Sequence, residues 1–302
     1  MKQAKKLFAF FLLTVVSRAF TFDIFFSGSE VEYFLKDKIC KALFIQAVSL
    51  STDDFFISML RDKKTDFFIE ASLFESEVPK NVRIFRDNNK EGYLHEKFII
   101  FDGKAVLFGT GNFTENSLKN DFNVFVYTQN PIVTALFLEE INNFQNNRYG
   151  HDKSIIDRQV KADGCTFRMI TGPSVNIYKS LIKEIQNSSQ SIDIFSFSFT
   201  DPFMVYELEK ASASGVKIRM VSDDWNLMYS SPIQYLKGIE VVYDPGVHAK
   251  IMVLDNKKLV IGSYNLTYRA REKNDEFLVI VDDSKLVRSV KEKFELYFKE
   301  EK

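Results

Sequence analysis

The sequence predicts an α/β protein of two similar lobes, each a mixed sheet flanked by helices, related by a pseudo-twofold axis. Three observations predict it. The block His95-Glu96-Lys97 recurs 153 residues later as His248-Ala249-Lys250. Around both copies, apolar runs of strand length alternate with stretches of helical length, the pattern of α/β layering. Each block also contains a hairpin, turned by Asp102-Gly103 in the first half, which makes the sheets mixed rather than purely parallel. Duplicated halves carry like surfaces, and these complement each other about a twofold axis. Two independent domains on a linker are the alternative.

The elements follow in order. Residues 1–19 read as a signal peptide: a basic head of Lys2, Lys5 and Lys6, an apolar run Leu7–Val16, then the small residues Ser17 and Ala19 before a cleavage point. The run is shorter than the ~20 residues a bilayer span needs. A buried helix or an uncleaved anchor is the alternative. The first lobe is expected over 20–150, a polar connector over 151–164 and the second lobe over 165–302. The apolar run Ala42–Leu50 ends in Ser51-Thr52-Asp53 and leads into a helical stretch. Its counterpart, Ser191–Phe199, ends in Thr200-Asp201-Pro202 and leads into a helix from Phe203 to Ser214, closed by Gly215. Val216–Ser222 is the next strand, with Phe67–Ala71 as its match in the first half. Each half finishes with a strand, Asn123–Thr128 and Glu276–Val281, and then a helix, Ile132–Asn146 and Lys285–Lys299. The last helix turns Val290, Phe294 and Phe298 inward.

Composition narrows the function. The 302 residues are 45% hydrophobic and 27% charged, with 31 Phe and 12 Tyr to fill a sizeable core. Forty basic against 41 acidic side chains leave a net charge of −1, which removes any general electrostatic case for a nucleic-acid coat. Cleavage after Ala19 would take away four cations and leave −5. Twelve Gly and six Pro are too few for a disordered chain. Two cysteines cannot build a disulfide framework or a four-thiolate zinc site. An exported chain could bond Cys40 to Cys165, but both read better as small core residues.

Only three histidines are present, and two hold equivalent places in the repeat. The match runs on from each: Gly109-Thr110-Gly111-Asn112 answers Gly262-Ser263-Tyr264-Asn265. In extended backbone, residues i and i+2 share a face, about 6.6 Å apart. His95 therefore projects with Lys97, and His248 with Lys250. Asn112 and Asn265 each follow a glycine turn. Docking the halves gathers two His, two Lys and two Asn around one point, a set suited to a phosphodiester. Ammonium and amide groups can hold the non-bridging oxygens as charge develops, while one imidazole attacks phosphorus and the other protonates the leaving oxygen. No cluster of His, Cys and carboxylates has metal-ligand spacing, and two lysines can supply the charge a metal would bring, so neither metal nor cofactor is expected.

His-x-Lys-x4-Asp followed by Gly-Ser-x-Asn, the whole present twice, resembles the phospholipase D superfamily over essentially the mature chain. The resemblance implies two α/β lobes with the site at their junction, and metal-independent phosphodiester cleavage through a covalent phosphohistidine. It implies that His95 is the nucleophile and His248 the general acid, with Lys97, Lys250, Asn112 and Asn265 on the phosphate. It also implies an acid 28 positions after each motif His, reaching across to the His of the other half. Glu276 fits this after His248, and would orient His95. The same place after His95 is Asn123, an amide, so His248 would face Asn123 or nearby Asp121. Thr110 replaces the usual Ser of the first copy but keeps the hydroxyl that Ser263 has in the second. Asp102 and Asp255 alternate away from the His-Lys face and read as structural, tying each hairpin to its neighbours.

His151 reads as a solvated side chain of the connector. Asp223, Asp224 and Trp225 follow a strand end and read equally as channel lining or as a capped loop. The leading function is an exported phosphodiesterase acting on phospholipid or a related diester, periplasmic or secreted, with the whole site on one chain and hence a monomer. A metal-independent nuclease is the alternative, with nucleic acid as substrate. A non-catalytic phosphate-binding module is the third reading.

Overall fold

The computed structural model describes residues 21–73, 77–228 and 231–300, so the expected signal peptide lies outside the described residues. The first lobe contains strands β1 (Asp23–Phe26), β2 (Phe44–Ser49), β3 (Lys64–Ile69), β4 (Val82–Arg86), β5 (Phe98–Phe101), β6 (Ala105–Gly109) and β7 (Val124–Thr128). Its helices are α1 (Ser29–Lys41), α2 (Asp54–Met59), α3 (Glu115–Lys119) and α4 (Pro131–Gln145). The sheet order is β1-β7-β6-β5-β2-β3-β4. Strands β2, β3 and β4 run parallel, and the other neighbours pair antiparallel.

The second lobe repeats the plan with β8 (Asp157–Ala162), β9 (Cys165–Thr171), β10 (Ser191–Ser196), β11 (Lys217–Ser222), β12 (Ile239–Tyr243), β13 (Lys250–Leu254), β14 (Lys258–Gly262) and β15 (Phe277–Val281). The order is β12-β11-β10-β13-β14-β15-β9-β8, with β10, β11 and β12 parallel. Its helices are α5 (Val175–Asn187), α6 (Pro202–Ala213), α7 (Trp225–Met228), α8 (Tyr268–Glu272) and α9 (Ser284–Glu300). The mixed α/β architecture is thus present twice. Among the described residues, no helix is long and apolar enough to cross a membrane.

The expected helices form because the local signals are sound. Asp201 caps α6 by accepting the N–H of Phe203, with Pro202 at the first helical position, and Asn130 caps α4 in the same way ahead of Pro131. Gly215, at φ 95°, takes the left-handed turn after α6. Two expectations need correction. The polar stretch 151–164 is more than a connector, since β8 adds to the sheet edge beside β9. Its outward residues can be polar because an edge strand with one neighbour stays largely solvated. Cys40 is exposed, not a core residue: α1 buries Val31, Leu35 and Ile39, and Cys40 lies one residue, about 100°, further round. Cys165 is buried, and the two are not bonded.

One apolar core belongs to both lobes. Phe98, Phe108 and Phe137 of the first pack on Phe277 of the second, with ring centroids 6.4, 6.1 and 5.7 Å apart, and Phe108 also meets Phe167. Helices α4 and α9 pack into this shared core through Phe137, Phe144, Phe294 and Phe298. The opposite sheet faces are covered separately, by α1 and α2 in one lobe and by α5 and α6 in the other.

The two lobes also cross by backbone. His95 N–H donates to Asp275 C=O (2.9 Å), and Asp275 N–H to Tyr93 C=O (2.9 Å). At the positions 153 residues away, His248 N–H donates to Phe122 C=O (3.0 Å) and Phe122 N–H to Gly246 C=O (2.7 Å). This reciprocity is what a pseudo-twofold axis requires. Both motif histidines sit on the crossing itself.

Candidate active site

Each histidine is gripped by the opposite lobe. His95 Nδ1 is 2.9 Å from Glu276 Oε2, and His248 Nδ1 is 2.9 Å from Asn123 Oδ1. The supports match as well. Ser263 Oγ donates to the same oxygen of Glu276, and Asn274 Nδ2 donates to the other (3.1 Å). Thr110 Oγ1 donates to Asn123 Oδ1 (3.0 Å), while Asn123 Nδ2 donates to Ser117 C=O (3.1 Å). An amide oxygen can only accept, so His248 carries its proton on Nδ1 and leaves Nε2 unprotonated, 3.2 Å from Lys250 Nζ, which can donate to it. An ionised Glu276 imposes the same tautomer on His95. Asp121 is not used by His248; it accepts from Asn116 and Ser117.

Lys97 is fully buried and donates to the carbonyl of His95. Lys250 is buried too, donates to the carbonyl of His248 (2.5 Å), and lies 5.0 Å over the ring of Phe197. Phe197 also packs on His248, with centroids 4.6 Å apart. Sequence reasoning missed Phe197, because nothing local marks one phenylalanine among 31. Asn112 and Asn265 have buried side-chain oxygens without a hydrogen-bond partner. Such an atom costs about 1–3 kcal/mol.

Burial dominates the electrostatics. It holds both histidines well below the ordinary imidazole range, helped by the two neighbouring ammonium groups. It pushes Lys97 down to about 7, against the opposing pull of Glu276 and Glu96. Burial and then the Lys97 charge hold Lys250 well below the usual lysine range. Glu276 rises to about 7 by burial, although Lys97, Ser263 and Asn274 favour its ionised form. Two buried lysines whose charged forms burial disfavours, beside neutral imidazoles, make a site that gains by taking an anion.

The remaining residues lie as follows. Asp102 accepts the N–H groups of Leu43 and Phe44 (both 2.8 Å), and Asp255 accepts those of Ser189, Gln190 and Ser191. Both tie a hairpin turn to the adjacent strand, as their alternation suggests. Asp223 clamps its loop by accepting from Trp225 and Gly246 N–H. His151 is exposed, with Nε2 3.1 Å from the carbonyl of Glu272. Among the described residues, no three His, Cys, Asp or Glu side chains are grouped as metal ligands would be.

Two α/β lobes exchange a histidine partner across a pseudo-twofold axis, with a buried lysine two residues after each imidazole. A family model described as "Cardiolipin synthase, PLD-like domain" matches residues 32–145 and 181–297, and the chain belongs to this phospholipase D-like family. It is 30% identical over 125 residues to a phospholipase D of Rickettsia prowazekii, and 31% identical over 139 residues to the human mitochondrial cardiolipin hydrolase. These matches cover 39% and 44% of the chain, and 60% and 54% of the relatives' own lengths. The phosphatidylserine synthase structure from Haemophilus influenzae superposes over 92% of this chain and 86% of its own, with a TM-score of 0.69 at 14% identity, a likeness of fold.

Proposed function

We propose that this chain is an exported phosphodiesterase that hydrolyses phospholipid, or a related phosphodiester, through a covalent phosphohistidine. The observation that carries the reading is the crossed pair of imidazoles, each held at Nδ1 by the other lobe and each beside a buried lysine. His95 Nε2 attacks phosphorus and the P–O bond to the leaving alcohol breaks. His248, protonated on Nε2 once the bound anion offsets Lys97 and Lys250, gives that proton to the leaving oxygen. Water then attacks the phosphohistidine, losing a proton to His248, and the P–N bond breaks. Through both steps Glu276 steadies the cationic ring of His95.

The lipid choice draws on the activities for which the related phospholipase D and cardiolipin hydrolase are named and on the surface beside the site. Val175, Phe203 and Tyr268 are exposed at the N-terminal ends of α5, α6 and α8. These helices leave the ends of β9, β10 and β14 that adjoin the histidine crossing. Exposed aromatic and aliphatic tips suit an acyl-chain interface. The nuclease reading has its own support in exposed Arg269, 4.5 Å over the ring of Tyr93, a platform on which a base could stack.

The test is purified protein in chelator, assayed on phosphatidylcholine vesicles, single-stranded DNA and bis-p-nitrophenyl phosphate. Alcohol release from lipid without DNA cleavage supports the phospholipase. The reverse supports the nuclease, and inertness on all three leaves a binding module. Complete loss of turnover in EDTA, restored by Zn²⁺ or Mg²⁺, would sink the metal-free mechanism. Export rests on residues 1–19, and a mature N-terminus at Phe20 would support it.

A further inference from the structure

Lys153 lies in the segment between the lobes, yet its side chain is fully buried. Its ammonium meets three equally buried carboxylates: Glu96 (2.9 Å), Asp275 (3.0 Å) and Glu140 of α4. Glu96 is the residue after His95, and Asp275 is the residue before Glu276. Lys153 therefore grips the chain neighbours of an imidazole and of the carboxylate that bonds it, one from each lobe. Asp275 is held further by Gly150 N–H (2.9 Å) and Asn89 Nδ2 (3.1 Å), which fixes the segment carrying Lys153.

The other histidine has nothing of the kind. At the positions 153 residues away, Glu96 is answered by Ala249 and Asp275 by Phe122, both buried in the shared apolar core. Burying an ammonium with its carboxylates costs several kcal/mol per ion, and burial beside Glu140 pushes the Glu96 carboxyl well above its ordinary range. An apolar replacement of such a cluster is often as stable or more so. The His248 side is that apolar version within the same molecule, so folding alone does not demand the ionic one.

We propose that Lys153 is a positioning residue for the His95–Glu276 pair, locking Glu96 and Asp275 so that the Nδ1 hydrogen bond keeps its geometry while His95 carries the phosphoryl group. This rests on the reading of His95 as nucleophile. It also explains why the knot sits at one imidazole only: the ring that becomes covalently loaded needs a fixed partner, whereas a ring that only shuttles a proton is served by Asn123.

Lys153→Met alone strands three buried carboxylates, so it is compared with a charge-free variant, Glu96→Gln/Glu140→Gln/Lys153→Met/Asp275→Asn, which keeps volume and acceptors. Two readouts apply to the full chain: kcat and KM on bis-p-nitrophenyl phosphate, and the imidazole Nδ1–H resonances by NMR. The charge-free variant should fold, keep KM within about threefold and lose at least about tenfold in kcat. Its His95 Nδ1–H signal should broaden into exchange with water while that of His248 is unchanged. An unchanged His95 signal with kcat near wild type would overturn the proposal. So would failure of the charge-free variant to fold, which would make the knot a requirement of folding. If the wild-type chain forms no phosphohistidine, the phosphodiesterase reading falls, and the His95 signal still decides whether Lys153 holds the pair.

Discussion

At the scale of single residues, Glu276 and Asn123 occupy one structural position and differ in what they can do for an imidazole. A carboxylate stabilises a cationic ring, and an amide only orients it. Glu276→Gln should therefore slow phosphohistidine formation far more than Asn123→Ala does. Glu276 must be ionised to act and sits near pH 7, so it should set the acidic limb of kcat/KM, and Glu276→Gln should remove that limb. The alkaline limb should persist, because it follows loss of the Lys97 proton, also near 7 in the free enzyme. In the kcat profile that limb should move to higher pH, since bound phosphate favours the charged lysine. Trapping the phosphoenzyme on His248 with His95 unmodified would reverse the assignment.

Lys97 also bears on stability. Its folded value, about 7, lies below its ordinary value of 10.5. Between these limits the unfolded chain binds more protons, so stability rises with pH across that window, and the full penalty applies below it. Lys97→Met should raise Tm at pH 6 and lose the advantage at pH 10, while abolishing activity. Thermal melts of both proteins at the two pH values decide this.

At the scale of elements, the turn aspartates carry the next prediction. Asp102 and Asp255 stand at φ 53° and 51° and accept backbone N–H groups from the neighbouring strand. Burial raises the Asp255 carboxyl, but bonds from Ser189, Ser191 and Gln190 outweigh it and hold the group below its usual range. Its contribution is present above the ordinary carboxylate value and is lost as pH falls through the folded one. Asp255→Ala should cost about 0.5–1.5 kcal/mol in urea unfolding at pH 7 and less as pH falls below the ordinary carboxylate range, with kcat little changed.

These elements were legible because their signals are local: alternating apolar runs, a proline after a capping aspartate, a glycine at a helix end. The site was legible because it is written twice at one spacing. The buried knot was not, since Glu96, Glu140, Lys153 and Asp275 come from four distant segments and show no common period. Cys40 was misread because one residue of helical phase separates a buried face from an exposed one. Strand β8 was missed because its exposed polar residues carry no strand-like alternation.

At the scale of the whole molecule, the shared core and the crossed backbone bonds make the lobes one cooperative body. A single thermal transition should be seen by any probe in either lobe. Mixing His95→Ala chains with His248→Ala chains should restore almost no activity, because each site needs both halves of one polypeptide. Strong complementation would mean that halves exchange between chains.

The unlike partners of the two histidines also say what covalent joining makes available. Two identical chains meeting about a true twofold axis must offer the same residue to both imidazoles, so every substitution appears twice and the two roles stay interchangeable. With both halves on one polypeptide, a single change of codon alters one side and spares the other. Glu276 opposite His95, and Asn123 opposite His248, is an arrangement that no homodimer of either half could adopt. If His95 is the nucleophile and His248 the acid, joining the halves in one chain is what lets two chemically identical side chains take different work.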